Sequence, residues 1–173
     1  LALAGFLDQH YPGWSEEDAA SQALWSRTAT RKAATELAKR INEAAVVNPV
    51  NLVALALLAA PKRTADEHAL WRMIEHYQAL AEQAPYAATS IVCTLPPPAI
   101  VAYAERLTVA ERFADPLGDL IRVRKDQAPL LAYFRNNVLH LFALPALIAC
   151  LLSHNRQLDG TRVAQAARGI CAL

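Results

Sequence analysis

The sequence predicts a mainly α protein, a helical domain of about six helices with one small β-hairpin. Apolar residues recur at spacings of three and four along most of the chain, and helix-start patterns precede several of these segments. Two short segments rich in β-branched and apolar residues flank the turn Asp115–Asp119, which predicts a hairpin at about 109–123. With the helices before it, this hairpin could form a winged-helix-like module.

Two helices are predicted before residue 48. Ser15 and Asp18 resemble a capping box and predict a short helix to about Trp25. Thr30–Val47 is rich in Ala, Lys, Arg and Glu, with apolar residues on one face. This pattern predicts an amphipathic helix.

The next two helices differ in character. Pro49–Ala60 is apolar nearly all round, so we expect it to be buried, with Asn48 as its N-cap and Pro61 as its stop. Thr64–Glu67 forms a capping box that predicts an amphipathic helix to about Ala84.

After about Ala84, extended segments alternate with helices in the predicted order. Tyr86–Leu95 is expected to be extended or looped, and Pro98–Leu107 to be helical. After the hairpin, Asp126 is the expected cap of a long apolar helix to about Leu152. Asp159-Gly160 opens a last amphipathic helix.

The long apolar run Leu131–Leu152 contains Arg135, Asn136, Asn137 and His140. Buried polar groups cost free energy unless they find partners, so we expect one of the asparagines and the histidine to have partners inside the fold. The Arg135 guanidinium should reach a carboxylate or the protein edge. A purely structural network is the preferred interpretation, and Arg135, Asn136 and His140 are the candidate substrate-binding residues under the alternative.

Composition excludes several functions. The net charge of +1 gives no electrostatic case for nucleic acid or for an anionic membrane surface. Cys93, Cys150 and Cys171 are far apart and odd in number, which argues against disulfides or a zinc site. His68 and His76 would be about 12 Å apart on a helix, too far to share a metal. We therefore predict no nucleic-acid partner, no metal and no cofactor.

DNA binding through the winged-helix-like module is also disfavoured. The helix Pro98–Leu107 offers only Arg106 as a cation, although Arg122, Arg124 and Lys125 lie at the wing. Phosphate contacts would therefore be few. A structural or protein-contact use of the module is the preferred interpretation.

The chain has the length of one domain, and we expect residues 1–173 to form a single helical domain. Because it begins at Leu1 rather than at a methionine, we expect it to be a piece of a longer protein. In this interpretation 1–29 lead in from an upstream domain, 30–153 form the helical core, and 159–173 begin a truncated helix.

A transmembrane span is not predicted. The longest charge-free run, Val138–Leu152, is about 15 residues, whereas about 18–20 are needed to cross the hydrocarbon core. A helix buried in protein, or one lying against a membrane, fits this run better.

Several separated segments, in a fixed order, resemble a known family. They are Arg40-Ile41-Asn42 with Asn48 and Asn51-Leu52, Ala56–Ala59, Pro85-Tyr86, Gly118–Ile121, and the pattern Y-x-R-N-N-x-x-H-x-x-x-L-P-x-L-x-A from Tyr133 to Ala149. The set is similar to the region downstream of the catalytic domain in bacterial membrane-bound glycerol-3-phosphate 1-O-acyltransferases.

The resemblance implies a parent enzyme that transfers a fatty acyl group from acyl-CoA or acyl carrier protein to glycerol 3-phosphate. It implies phospholipid biosynthesis at the cytoplasmic face of the bacterial inner membrane, with a peripheral or monotopic attachment. The family's catalytic blocks have no counterpart here, so no catalytic residue is assigned. The chain is expected to be a non-catalytic C-terminal helical part, with the catalytic domain of the same polypeptide and the membrane surface as partners.

The sequence offers two alternatives to this interpretation. His154 and Asp159 match the HxxxxD signature of glycerolipid acyltransferases, in which the histidine is the general base. They fall in a polar break between two predicted helices, with no phosphate-binding block after them, so we interpret them as a surface turn with a helix cap. The other alternative, a stand-alone helical binding or regulatory module, would need a start methionine and a polar surface.

Overall fold

The computed structural model of the chain describes residues 9, 22–116, 118–154 and 160–162. The chain divides into two compact units, Leu1–Glu43 and Ala44–Leu173. In the first unit the described structure is helix α1, Gln22–Glu43. The predicted capping box of Ser15 and Asp18 lies outside the described residues. The expected single-domain organisation of the chain stays a prediction.

Helix α1 differs from the prediction at both ends. It passes through Trp25 and Thr30 without a break, so the two helices predicted in this part of the chain are one over Gln22–Glu43. It ends four residues before Val47, because Val46–Val47 forms strand β1. Non-local pairing has therefore overridden the helical periodicity at this end.

Strand β1 pairs in parallel with β3, Ile91–Val92. The Cys93 N–H donates to the Val47 carbonyl at 2.9 Å, and the Ile91 N–H donates to the Ala45 carbonyl at 3.2 Å. The extended conformation predicted for Tyr86–Leu95 is thus confirmed at its centre.

Helix α2, Pro49–Ala59, is the centre of the second unit. Asn48 is its N-cap, Pro49 is at its start and Pro61 follows its end, all as predicted. Every residue of Val50–Leu57 is buried, because α2 packs against three other helices. A helix that is apolar on all sides is stable in water only when other elements enclose it, and the sequence predicted this burial of α2.

The three helices around α2 are α3, Glu67–Gln83; α4, Pro97–Arg106; and α5, Ala128–His154. The capping box predicted at Thr64 is wrong. Thr64–Asp66 is strand β2, and Asp66 is the N-cap of α3, accepting at 2.9 Å from the Ala69 N–H. Strand pairing occupies the residues that the local pattern assigned to the helix start.

The predicted hairpin is confirmed as β4, Ala110–Phe113, and β5, Leu120–Val123. Strand β2 pairs antiparallel with the free side of β5, so the sheet order is β2-β5-β4. The order α2, β2, α3, α4, β4, β5 is that of a winged-helix domain, which the sequence offered as one possibility. The mainly α class is confirmed.

Helix α5 follows a short 3₁₀ turn at Lys125–Gln127. It packs on α2 through a narrow stripe, and its buried residues are Ala128, Leu131, Val138, Leu141 and Phe142. From Ala143 to His154 no residue of α5 is buried. Residues 160–162 are also helical, in the region where the last helix was predicted.

Candidate functional site

The polar residues of α5 do not form the expected buried network. Asn136 and Asn137 are exposed, and the Arg135 guanidinium donates to the Asn136 Oδ1 atom at 3.0 and 3.2 Å. The burial expected for one of these asparagines is therefore wrong. The packed stripe of α5 runs through Leu131 and Val138, and both asparagines point away from it.

His140 is half-buried and lies beside the loop after α3. Its ring meets the Tyr86 ring edge-on, with centroids 5.2 Å apart and planes at 90°. This geometry is a typical favourable aromatic contact. Pro85-Tyr86 and the α5 pattern belong to the set of segments that resembled a family, and the fold brings Tyr86 and His140 together. A substrate-binding role for Arg135, Asn136 and His140 stays a prediction.

The buried polar residue among the described ones is Asn51, which is 2% exposed. Its Nδ2 donates to the Phe134 carbonyl at 2.7 Å. Its Oδ1 accepts from the Asn48 N–H at 2.8 Å, and its own N–H donates to the Asn48 Oδ1 at 3.0 Å. The side chain thus closes a reciprocal capping box and ties α2 to α5. Sequence reasoning missed this role, although an asparagine three residues after an Asn N-cap could have indicated it.

One face of α5 carries large apolar side chains in solvent. Leu130, Tyr133 and Leu144 are separated by three and eleven residues, close to whole helical turns, so they share this face. The exposed fractions of Tyr133 and Leu144 are 62% and 50%. An exposed apolar surface of this kind is typical of an interaction site.

Helix length revises the membrane prediction. Helix α5 and the 3₁₀ turn before it together span Lys125–His154, 30 residues, and are long and apolar enough to cross a membrane, with 17% of the most apolar window buried. The estimate from the run Val138–Leu152 was too short, because the helix continues through Arg135 and its neighbours. The same length and composition also suit a helix that lies on a membrane surface or in a protein core.

His154 is the last residue of α5 and is exposed. Its Nδ1 lies 2.9 Å from the Cys150 carbonyl oxygen and 3.1 Å from the Ser153 Oγ. A carbonyl only accepts, so this contact requires the proton on Nδ1. Asp159, the second residue of the HxxxxD match, lies outside the described residues. The predicted surface turn between them therefore stays a prediction, while the surface position of His154 agrees with it.

Two of the three cations at the wing, Arg122 and Arg124, are held by carboxylates. Arg122 pairs with Glu111 at 2.7 Å, and Arg124 pairs with Asp126 at 3.2 Å. Phosphate contacts from this part of the hairpin would first have to break these pairs.

Arg112 contacts three carboxylates at once. Its guanidinium lies 2.7 Å from Glu67, 2.8 Å from Glu105 and 2.9 Å from Asp119. Hydrogen bonds to Glu67, Glu105 and Asp119 raise the pKa of Arg112 above its ordinary value. These contacts connect α3, α4, β4 and the start of β5. Within the described ranges, no group of three or more His, Cys, Asp or Glu side chains is placed to hold a metal.

The described residues of the second unit form a mainly helical region, in which a winged-helix-like core is joined to a long apolar helix that is largely exposed. The chain belongs to the family described as the glycerol-3-phosphate acyltransferase C-terminal region, whose model matches residues 1–173. The resemblance seen in the sequence is thereby confirmed.

Curated relatives named glycerol-3-phosphate acyltransferase share this region. One from Pseudomonas putida is 41% identical over 151 residues, 86% of this chain and 18% of the relative. One from Pseudomonas aeruginosa is 36% identical over 172 residues, 98% of this chain and 21% of the relative. One from Xanthomonas campestris is 40% identical over 161 residues, 92% of this chain and 18% of the relative. The chain thus spans about a fifth of the relatives' length. No solved structure matches it.

Proposed function

We propose that the chain is the non-catalytic C-terminal helical part of a glycerol-3-phosphate 1-O-acyltransferase. The observation that carries this is the family match over residues 1–173, in relatives of which the chain covers 18–21%. The full-length protein would acylate the 1-hydroxyl of glycerol 3-phosphate from acyl-CoA or acyl carrier protein, in phospholipid biosynthesis. The catalytic domain of the same polypeptide is the proposed partner of this region.

The position of His154 supports a non-catalytic role. A general base must lie within hydrogen-bond reach of the hydroxyl that it deprotonates and be held by a second group. His154 is instead exposed at the end of α5, with Nδ1 facing the backbone carbonyl of Cys150. The stand-alone module, the alternative from the sequence, has no comparable support, because the matching family is a region of longer proteins.

We further propose that the exposed face of α5 rests on the membrane surface, at the cytoplasmic face of the bacterial inner membrane, as a peripheral or monotopic contact. Leu130, Tyr133 and Leu144 support this, since each is about half exposed on the same face. Moving their remaining exposed area out of water is worth roughly 0.5–1.5 kcal/mol per side chain. Several such contacts together are enough for reversible binding at the interface.

Substitution of His154 in the full-length enzyme tests the non-catalytic role. We expect His154→Ala to leave the kcat for acyl transfer to glycerol 3-phosphate within about threefold of the parent. A general base would instead contribute about 10²–10⁴-fold. Replacement of the histidine of the HxxxxD motif in the upstream catalytic domain is the positive control and should abolish transfer. If His154→Ala lowered kcat by about 10²–10⁴-fold, this region would contribute to the active site.

A further inference from the structure

A surface pocket lies where α5 begins beside the turn after α2. Its volume is about 400 Å³, and three cationic side chains line it: Arg63, Lys125 and Arg135. The rest of the lining is apolar, formed by Leu58, Ala128, Pro129 and Ala132. The size falls at the lower end of the range for small-molecule sites, about 300–1,000 Å³.

The three cations have no carboxylate partners. In the described part of the chain, neither Arg63 nor Lys125 makes an ion pair or side-chain hydrogen bond, and Arg135 donates only to the neutral amide of Asn136. The nearby Asp126 is already paired with Arg124. Like charges around one cavity repel each other, so the arrangement favours an anion between them.

The backbone that presents Arg63 is strained. Lys62 and Arg63 both have positive φ, 53° and 57°, in a left-handed region that residues other than glycine seldom occupy. Such conformations cost free energy and concentrate at binding sites and turns that hold a side chain in place. The positive φ of Arg63 is a backbone observation that does not depend on the pocket, and Arg63 is one of the residues that line the pocket.

We propose that this basic pocket, formed by Arg63, Lys125 and Arg135, binds the phosphate group of a phosphate ester. Arginine guanidinium groups donate parallel hydrogen bonds to phosphate oxygens, and lysine adds a point charge. The volume exceeds what a bare phosphate needs, and the apolar lining suits the carbon atoms next to it. The inference rests on the pocket residues and does not depend on the proposed acyl-transfer activity.

Two sources could supply this phosphate. One is a soluble phosphate ester, and the other is the headgroup of an anionic phospholipid in the membrane on which α5 is proposed to rest. The chemistry of recognition is the same in both cases. The experiment therefore uses inorganic phosphate as one probe and lipid vesicles as the other.

The test uses the full-length enzyme with Arg63→Asn and Lys125→Gln combined. Asparagine tolerates positive φ, so the first change removes the charge without adding backbone strain. The matched control combines Arg72→Gln with Arg106→Gln, which removes the same net charge from exposed positions outside the pocket. Calorimetric titration measures affinity for inorganic phosphate. Flotation compares vesicles of phosphatidylglycerol in phosphatidylcholine with vesicles of phosphatidylcholine alone.

We expect the pocket variant to bind one probe or both at least about fivefold more weakly, and the control variant to stay within about twofold. Loss with inorganic phosphate and unchanged binding to phosphatidylglycerol vesicles identifies a soluble ester. Loss with phosphatidylglycerol vesicles identifies a lipid headgroup. Phosphate bound elsewhere in the enzyme cancels in the comparison with the parent. If the double variant unfolds at a lower temperature, Lys125→Gln alone is measured. Unchanged binding in both arms, or equal losses in pocket and control variants, would overturn the proposal.

Discussion

Asn51 shows how one amide can join two helices that are far apart in the chain. Its side chain makes one bond to the Phe134 carbonyl, 83 residues away, and closes the capping box with Asn48. Because the amide is almost fully buried, its loss would leave the Phe134 and Asn48 groups short of a partner. Buried groups left without partners cost more than the net value of the hydrogen bond itself.

We expect Asn51→Ala to destabilise the protein by about 1–3 kcal/mol, through the lost bond and the lost cap. Hydrogen exchange of α2 and α5 in the full-length enzyme is the measurement, and faster exchange in both helices is the expected result. Asn136→Ala is the matched control, because Asn136 is exposed and, among the described residues, its side chain bonds only to that of its neighbour Arg135. Its effect should stay within about 0.5 kcal/mol. The opposite ranking would show that the polar residues of α5 do hold the fold together.

Gly118 gives a second prediction for a single residue. Its φ is +131°, and a Cβ added there would lie 3.0 Å from the Asp66 Oδ2 atom. We expect Gly118→Ala to cost at least about 1 kcal/mol, because the backbone conformation and the close approach both disfavour a side chain. The thermal unfolding midpoint measures this. Gly160→Ala, where the added Cβ meets nothing within 4 Å, should be neutral, and equal effects at the two sites would contradict the explanation.

At the scale of elements, local pattern predicted the helices well and the strands unevenly. The central α2 and the hairpin of β4 and β5 were predictable, because an apolar segment between Asn48-Pro49 and Pro61 and a turn at Asp115–Asp119 are local features. Strand β2 was not, since Thr64–Asp66 becomes extended only by pairing with β5. Local patterns cannot report on partners that are distant in the chain.

The candidate site was less predictable than the fold. The run Leu131–Leu152 has apolar residues on every side of the helix, so periodicity could not tell which face of α5 packs and which is exposed. This ambiguity explains why Asn136 was expected inside. The basic pocket was not predictable either, because Arg63, Lys125 and Arg135 come from three separate segments. Only the packing of α5 beside the end of α2 brings them together.

The exposed face of α5 leads to a prediction about membrane binding. We expect Tyr133→Glu combined with Leu144→Glu to reduce flotation of the full-length protein with phospholipid vesicles. Each change removes apolar area that would be buried at the membrane interface and places a negative charge there. Leu95→Glu with Leu107→Glu is the control, since each of these leucines is 47% exposed elsewhere on the second unit. Unchanged flotation with loss of acyl transfer would indicate that the catalytic domain covers this face.

At the scale of the second unit, Arg112 connects the hairpin to two helices through Glu67, Glu105 and Asp119. Each contact is partly exposed, so each contributes less than a buried pair would. Removing the arginine also leaves three carboxylates close together without a cation. The pKa of Arg112 is raised, so its guanidinium stays charged at all ordinary pH values. The strength of these ion pairs therefore depends on the salt concentration and not on deprotonation of Arg112.

We expect Arg112→Gln to cost about 1–2 kcal/mol at low ionic strength, the sum expected for three partly exposed pairs. The cost should shrink in about 1 M salt, where screening acts within about 3 Å. Unfolding midpoints of the two proteins at low and high salt provide the measurement. Arg72→Gln serves as the control, because Arg72 makes no ion pair within the described residues. A cost that does not change with salt would assign the effect of Arg112 to packing.

The central position of α2 also sets the order in which the chain can become stable during synthesis. The Asn51 amide must wait for Phe134, and a ribosome adds the intervening 83 residues at about 5–20 residues per second. For roughly 4–17 s the apolar segment Val50–Leu57 is therefore made but not yet enclosed by α5. Apolar surface that is exposed for a time during synthesis is prone to aggregation. Slower translation of the segment between α2 and α5 should therefore lower the yield of folded protein.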